Sequence, residues 1–212
     1  MKRLYESLLD NDNKLFNVTG NKVIIAQFLN KNYGIQGSYN SSDDYIVDVN
    51  GDIFVTNHNL ESLTTGFTFR IVTGDFNCDY CKKLTSLKGA PKEVNGGFSC
   101  DNCNKLKSLE GAPLKVNEYF SCYGCRRLTS LKGSPKEVGG NFVCDGCSAL
   151  TSLEGSPKEV GGDYICICCI KLTSLKGISK KIGTKIKDSR INCYGSPIKS
   201  FEDAPKNIPI FK

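Results

Sequence analysis

From Phe76 onward the apolar positions of the chain recur in a fixed order, an aromatic, two cysteines, two leucines and a valine, with short polar stretches between them. The units read FNCDYCKKLTSLKGAPKEV, FSCDNCNKLKSLEGAPLKV, FSCYGCRRLTSLKGSPKEV, FVCDGCSALTSLEGSPKEV and YICICCIKLTSLKG. Their first cysteines, Cys78, Cys100, Cys122, Cys144 and Cys166, lie 22 residues apart without a slip. A fixed period of this length is the signature of a solenoid, in which one unit cannot bury its apolar set but stacked neighbours can.

Within a unit, Phe98 and Cys100 alternate at period two, which puts both on one face of a short strand. Cys103 follows at a turn, Leu106 and Leu109 come next at a spacing of three, and Gly111-Ala112-Pro113 stops any helix. Val116 then leads back toward the next strand. The pattern predicts a mainly β repeat solenoid with one short parallel strand per unit. Seven such strands would span about 30 Å at roughly 4.8 Å each.

The array has irregular ends, as a capped solenoid should. Ile53, Val55, Leu60 and Leu63 fit a shortened first unit with His58 near its turn, and Ile191, Cys193, Ile198, Phe201 and Pro205 fit a last one, after an insertion around KKIGTKIKDSR. Ahead of the array, Leu4, Leu8 and Leu9, then Val23, Ile24, Ile25, Phe28 and Leu29, have helical spacing. The expected organisation is an α-helical N-terminal cap over residues 1–45, a solenoid of about seven units over 46–205, and a C-terminal tail over 206–212.

The pattern F-x-C-x-x-C-x-x-L-x-x-L-x-G-x-P-x-x-V resembles a leucine-rich repeat of the short bacterial type, with Phe98 and Cys100 in the strand and Cys103 at the turn. Its wording, LTSLKGAPKEVGG after FxC, is similar to repeat proteins common in bacteriophage and bacterial genomes. The resemblance covers roughly residues 45–205 and has Phe and Cys where Leu is usual. It implies a non-enzymatic scaffold for protein–protein interaction. It also implies a phage or mobile-element factor that binds and inhibits a host protein, including components of host defence.

Twelve cysteines are many for 212 residues. The start, MKRLYESLLDNDN, is charged and lacks the apolar run of a secretory signal, and no stretch approaches the length of a membrane span. The expected setting is therefore a reducing cytoplasm, that of the host if the chain is phage-encoded, where structural disulfides are rare. The C-x-x-C pairs Cys78/Cys81, Cys100/Cys103, Cys122/Cys125 and Cys144/Cys147 have a spacing compatible with four-thiolate zinc sites. However, five complete pairs do not divide evenly into such sites, and zinc leaves the LTSL and GxP segments unexplained. The alternative accounts for every position: the strand cysteines are small buried hydrophobes, and the turn cysteines donate weak S–H bonds to backbone. Cys168, the extra thiol of CICC, should lie outside the core.

No reaction centre is legible. His58 is the only histidine and sits in an Asn-rich turn, Asp43 and Asp44 adjoin in an apparent loop, and the NGG and VGG glycines read as turn residues. The strand positions pointing outward should instead form the functional face: Asn77, Asp79, Ser99, Asp101, Ser121, Tyr123, Val143, Asp145, Ile165 and Ile167. Unlike the inward positions, these vary between units. Tyr119, Tyr123, Arg126 and Arg127 share one unit and have hot-spot composition. In the fifth unit Tyr164, Ile165, Ile167 and Ile170 make an apolar patch that either contacts a partner or packs under the KKIGTKIKDSR insertion.

Charge sharpens the picture slightly. Residues 1–75 carry 6 basic and 9 acidic side chains and residues 76–212 carry 22 and 13, a balance of −3 against +9. Much of this should cancel, because Lys88, Glu110, Lys132, Glu154 and Lys176 alternate along one column, and Lys92, Lys136 and Lys158 each precede a glutamate. Only Tyr123 to Arg127 combines aromatic and uncompensated basic residues as a nucleic-acid surface would. The leading expectation is a protein partner at Tyr119, Tyr123, Arg126, Arg127, Asp101, Asp145, Ile165 and Ile167, with no cofactor, no membrane and no catalysis. Nucleic-acid binding, zinc binding and self-association are the alternatives.

Overall fold

The computed structural model describes residues 29, 31–41, 46–64 and 67–212. Strands β1 (Tyr33–Ser41) and β2 (Ile46–Val55) form an antiparallel hairpin in register from Tyr33↔Val55 to Ser41↔Val47. The strands meet closely at the facing pair Gly37 and Gly51: a Cβ on Gly37 would lie 2.1 Å from the Asn50 carbonyl oxygen, and both glycines have positive φ. The other edge of β2 starts the solenoid twice. Its first half pairs in parallel with β3 (Thr68–Val72), with a register shift between Val47 and Val49, and its second half pairs with β4 (Phe76–Asn77).

Two parallel ladders grow from that rung. One continues from β3 through β5 (Glu93–Val94), β7 (Lys115–Val116), β9 (Glu137–Val138), β11 (Glu159–Val160) and β13 (Lys181–Ile182). The other continues from β4 through β6 (Phe98–Ser99), β8 (Phe120–Ser121), β10 (Phe142–Val143), β12 (Tyr164–Ile165), β14 (Ile191–Asn192) and β15 (Ile210–Phe211). The molecule is a parallel β-solenoid of about seven turns.

Three expectations need correction. Each full turn contributes two strands, because the valine that closes a unit is hydrogen-bonded into a ladder of its own, as in Val94↔Val116↔Val138. The stretch assigned to a helical cap instead contains β1, and among the described residues only Leu29, Lys31 and Asn32 are helical there. Leu4, Leu8, Leu9, Val23, Ile24, Ile25 and Phe28 lie outside the described residues. Finally, the tail is not free, since Ile210 and Phe211 pair with Ile191 and Asn192. Among the described residues no helix is long and apolar enough to cross a membrane.

The core consists of columns. Phe76, Phe98, Phe120 and Phe142 stack with ring centroids 5.3, 5.3 and 5.5 Å apart and planes within 7° of parallel. Strand spacing imposes this distance, and it falls within the range in which offset rings attract. Tyr164 continues the column, tilted by 35°, and its hydroxyl shares a 2.7 Å hydrogen bond with Ser156 Oγ. Leu84, Leu106, Leu128, Leu150 and Leu172 and the paired cysteines fill the rest with no exposure. In the last described turn Ile198, Phe201, Ile208 and Ile210 are only half-buried.

Candidate interaction surface

Each turn from Cys78 onward presents an outward bend just after its strand cysteine. The residue at its apex has φ between 54 and 70° in six successive turns: Tyr80, Asn102, Gly124, Gly146, Cys168 and Gly195. Gly and Asn adopt this left-handed conformation readily, whereas Tyr80 and Cys168 hold it against steric cost. Backbone bonds lock adjacent bends together, with Tyr80 N–H donating to Asp101 O and Asn102 N–H to Tyr123 O, at 2.8 and 2.7 Å. Residues at the same place in successive turns therefore stand side by side.

On one flank of the bend runs an acidic ladder whose members are tied into the fold. Asp79 Oδ1 accepts from Ser99 Oγ and, at 2.7 Å, from Asp101 N–H. Asp101 Oδ1 accepts from Ser121 Oγ at 2.6 Å and Tyr123 N–H at 2.8 Å, and Asp145 Oδ1 accepts from Ile167 N–H at 2.8 Å. Burial pushes the Asp101 and Asp145 carboxyls above the usual carboxylate range, an effect these hydrogen bonds partly offset. Ser99 and Ser121, read from sequence as outward, are buried because their hydroxyls turn onto these carboxylates.

On the other flank the side chains are unengaged. Lys82, Lys83, Lys105, Arg126 and Arg127 are all exposed, and no ion pair among the described residues includes them. Lys83, Lys105 and Arg127 occupy one column, and Lys82, Asn104 and Arg126 the next. Tyr80 and Tyr123, 56% and 50% exposed, border them.

The residues singled out from sequence thus separate. Tyr123, Arg126 and Arg127 come together on the cationic flank, while Asp101 and Asp145 belong to the acidic ladder. Tyr119 lies just ahead of β8, its ring in the space a side chain on Gly97 would fill, 2.1 Å from the ideal Cβ. It also lines a shallow depression with Asn117, Glu118, Gly139, Gly140, Asn141 and Ile186. Ile165 and Ile167 are half-buried, with Ile165 in register between Val143 and Asn192. The nearby insertion folds onto the corner before β12, where Lys185 and Ile186 N–H donate to Gly161 O at 3.0 and 2.8 Å. Ile170 and Cys168 are exposed, Cys168 alone among the twelve cysteines. Tyr80, Lys82, Lys83 and Lys105 were missed, although aligning the units in columns of 22 would have set them beside Arg126 and Arg127.

The cysteines considered for zinc form a file of free thiols. The second thiol of each pair donates to the carbonyl of the first in the preceding turn: Cys103 to Cys78, Cys125 to Cys100, Cys147 to Cys122 and Cys169 to Cys144, at 3.2 to 3.3 Å. Strand cysteines also donate, as from Cys78 to Ser99 O at 3.3 Å and Cys100 to Ser121 O at 3.5 Å. The adjoining thiol of the next turn, together with burial, pushes Cys100, Cys122 and Cys144 well above the ordinary thiol range. Among the described residues, no group of three or more His, Cys, Asp or Glu is arranged to hold a metal. His58 is exposed in a turn, and Asp43 and Asp44 lie outside the described residues.

No protein-family model matches the chain, and neither a curated protein nor a solved structure matches it.

Proposed function

We propose that this chain is a non-enzymatic scaffold that binds a protein partner through the outward bends of its solenoid. One observation carries the reading. Inward columns repeat almost unchanged, while the exposed bend positions change chemistry from turn to turn, and those in Lys82–Lys83 and Tyr123–Arg127 keep side chains that no ion pair among the described residues engages. Solenoids commonly use such continuous surfaces for binding. The likeness of the repeat to short leucine-rich repeats carried by phages and bacteria supports a finer version. In it the chain acts in the cytoplasm of a bacterial host and inhibits a host protein, including one of a defence system.

The test is a nuclease-treated affinity capture from bacterial lysate, comparing the tagged wild-type chain with Tyr123→Ala/Arg127→Ala. A stoichiometric host protein retained by the first and lost by the second supports the reading. A host protein retained equally by both moves the surface elsewhere. Self-association is a second reading, favoured by the half-buried Ile198, Phe201, Ile208 and Ile210 of the last turn. It requires a mass that rises with concentration and falls on Phe201→Asp.

A further inference from the structure

We propose that the cationic bend of Lys82, Lys83, Lys105, Arg126 and Arg127 docks a short acidic peptide segment of the partner, an assignment that rests on the protein-binding reading above. Parallel-ladder spacing holds Lys83, Lys105 and Arg127 about 5 Å apart from turn to turn. Like charges at that separation repel, and no direct ion pair among the described residues relieves them, since each one lies elsewhere. The Lys88-to-Lys176 column shows the contrast: there Lys132 meets Glu110 at 3.1 Å and Lys176 meets Glu154 at 3.2 Å. Opposing carboxylates from outside would supply what this column has and the bend lacks, with Arg126 and Arg127 offering forked donors to them.

The size of the patch selects the occupant. It stops at Ser148 and Ala149 on one side and is preceded by His58 and Asn59 on the other. It therefore spans three turns, about 10 Å, the length of three or four residues of extended chain. A nucleic-acid strand running along the column past that point would meet Ser148, Ala149 and Ile170, with Lys171 the next cation two turns beyond Arg127. Tyr80 and Tyr123 are two turns apart, about 10 Å, too far to stack on consecutive bases. They are placed instead as an apolar rim for a few acidic residues.

The probe is fluorescein-labelled hexaglutamate, read by anisotropy at low and high salt, with hexaglutamine and a single-stranded DNA oligonucleotide as comparators. The full chain should bind hexaglutamate and not hexaglutamine. Lys105→Glu/Arg127→Glu should weaken hexaglutamate binding about tenfold or more, while Lys136→Glu/Lys158→Glu, an equal change in net charge, should weaken it less than about twofold. Unchanged circular dichroism and melting would show both variants folded. Equal losses in the two variants, no binding of hexaglutamate, or tighter binding of the oligonucleotide with the same sensitivity would each overturn the proposal. A lysate partner still retained by Lys105→Glu/Arg127→Glu would also overturn it, while leaving the protein-binding reading intact.

Discussion

Asp101 and Arg127 both stand on the outside of the solenoid, one turn apart, and both occupy positions that vary between units. Asp101 is part of the fold, because its carboxylate collects the Ser121 hydroxyl and the Tyr123 N–H of the next turn. Arg127 is exposed and enters no ion pair among the described residues. Variation along a repeat therefore does not separate binding positions from structural ones. What separates them is whether the next turn already uses the side chain.

The contrast depends on turns stacked in register, and the ring column beneath both flanks keeps them so. Phe120→Ala removes the ring that sits 5.3 Å from Phe98 and 5.5 Å from Phe142. A loss of about 3–5 kcal/mol is expected in denaturant unfolding. Hexaglutamate affinity should fall with it although no contact residue has changed. Undiminished affinity would mean the bend holds its shape without the core.

Next in size is a direct comparison of the two flanks. Asp101→Ala leaves the Ser121 hydroxyl and Tyr123 N–H without their acceptor and should cost about 1–3 kcal/mol. Arg127→Ala should stay within about 0.5 kcal/mol, as surface substitutions do. Chemical denaturation of the two variants side by side checks this, and equal costs would erase the distinction.

Much of this arrangement was legible from sequence, and the remainder was hidden for identifiable reasons. The inward Phe, Cys and Leu columns followed from a period that never slips. The second ladder did not, because Glu93–Val94 and its equivalents are two-residue strands created by their neighbours in adjacent turns, and local preference cannot announce them. Strand β1 left a trace in Tyr33, Ile35 and Tyr39, which alternate at period two, but the helical spacing just ahead of them dominated the reading. The acidic ladder was hidden more deeply. An Asp that binds the backbone of the next turn looks, in one unit, like any solvated Asp.

A subtler variant isolates charge from hydrogen bonding. Asp101→Asn keeps an oxygen acceptor for Ser121 and Tyr123 and removes the carboxylate. Burial raises the Asp101 carboxyl above its unfolded value of about 3.9, so the fold favours the protonated form. That contribution is fully present below about pH 4 and is lost as pH rises through the folded value. The variant should therefore match wild type below about pH 4 and exceed it at pH 7. The gain should be small, because solvent reaches the carboxylate and screens it. Melting temperatures across pH 3–8 would show the two curves parting as predicted or running together.

The smallest effect asks what the cationic bend costs the fold. Glu110 stands between Lys88 and Lys132 in a column of alternating charge, and its contact with Lys132 joins side chains that are 49% and 75% exposed. Glu110→Lys would reproduce there the arrangement of Lys83, Lys105 and Arg127, three cations in adjacent turns. Exposed pairs contribute little, and like charges across a ladder are mildly unfavourable, so the loss should be about 0.5 kcal/mol or less and should vanish at high salt. If so, the native ridge is also held at little cost, and a solenoid can keep one column uncompensated for a partner without endangering its core. The same variant should give hexaglutamate a second place to bind. A large, salt-insensitive loss would mean instead that the native ridge has compensation within the chain, and Arg127 would then belong with Asp101.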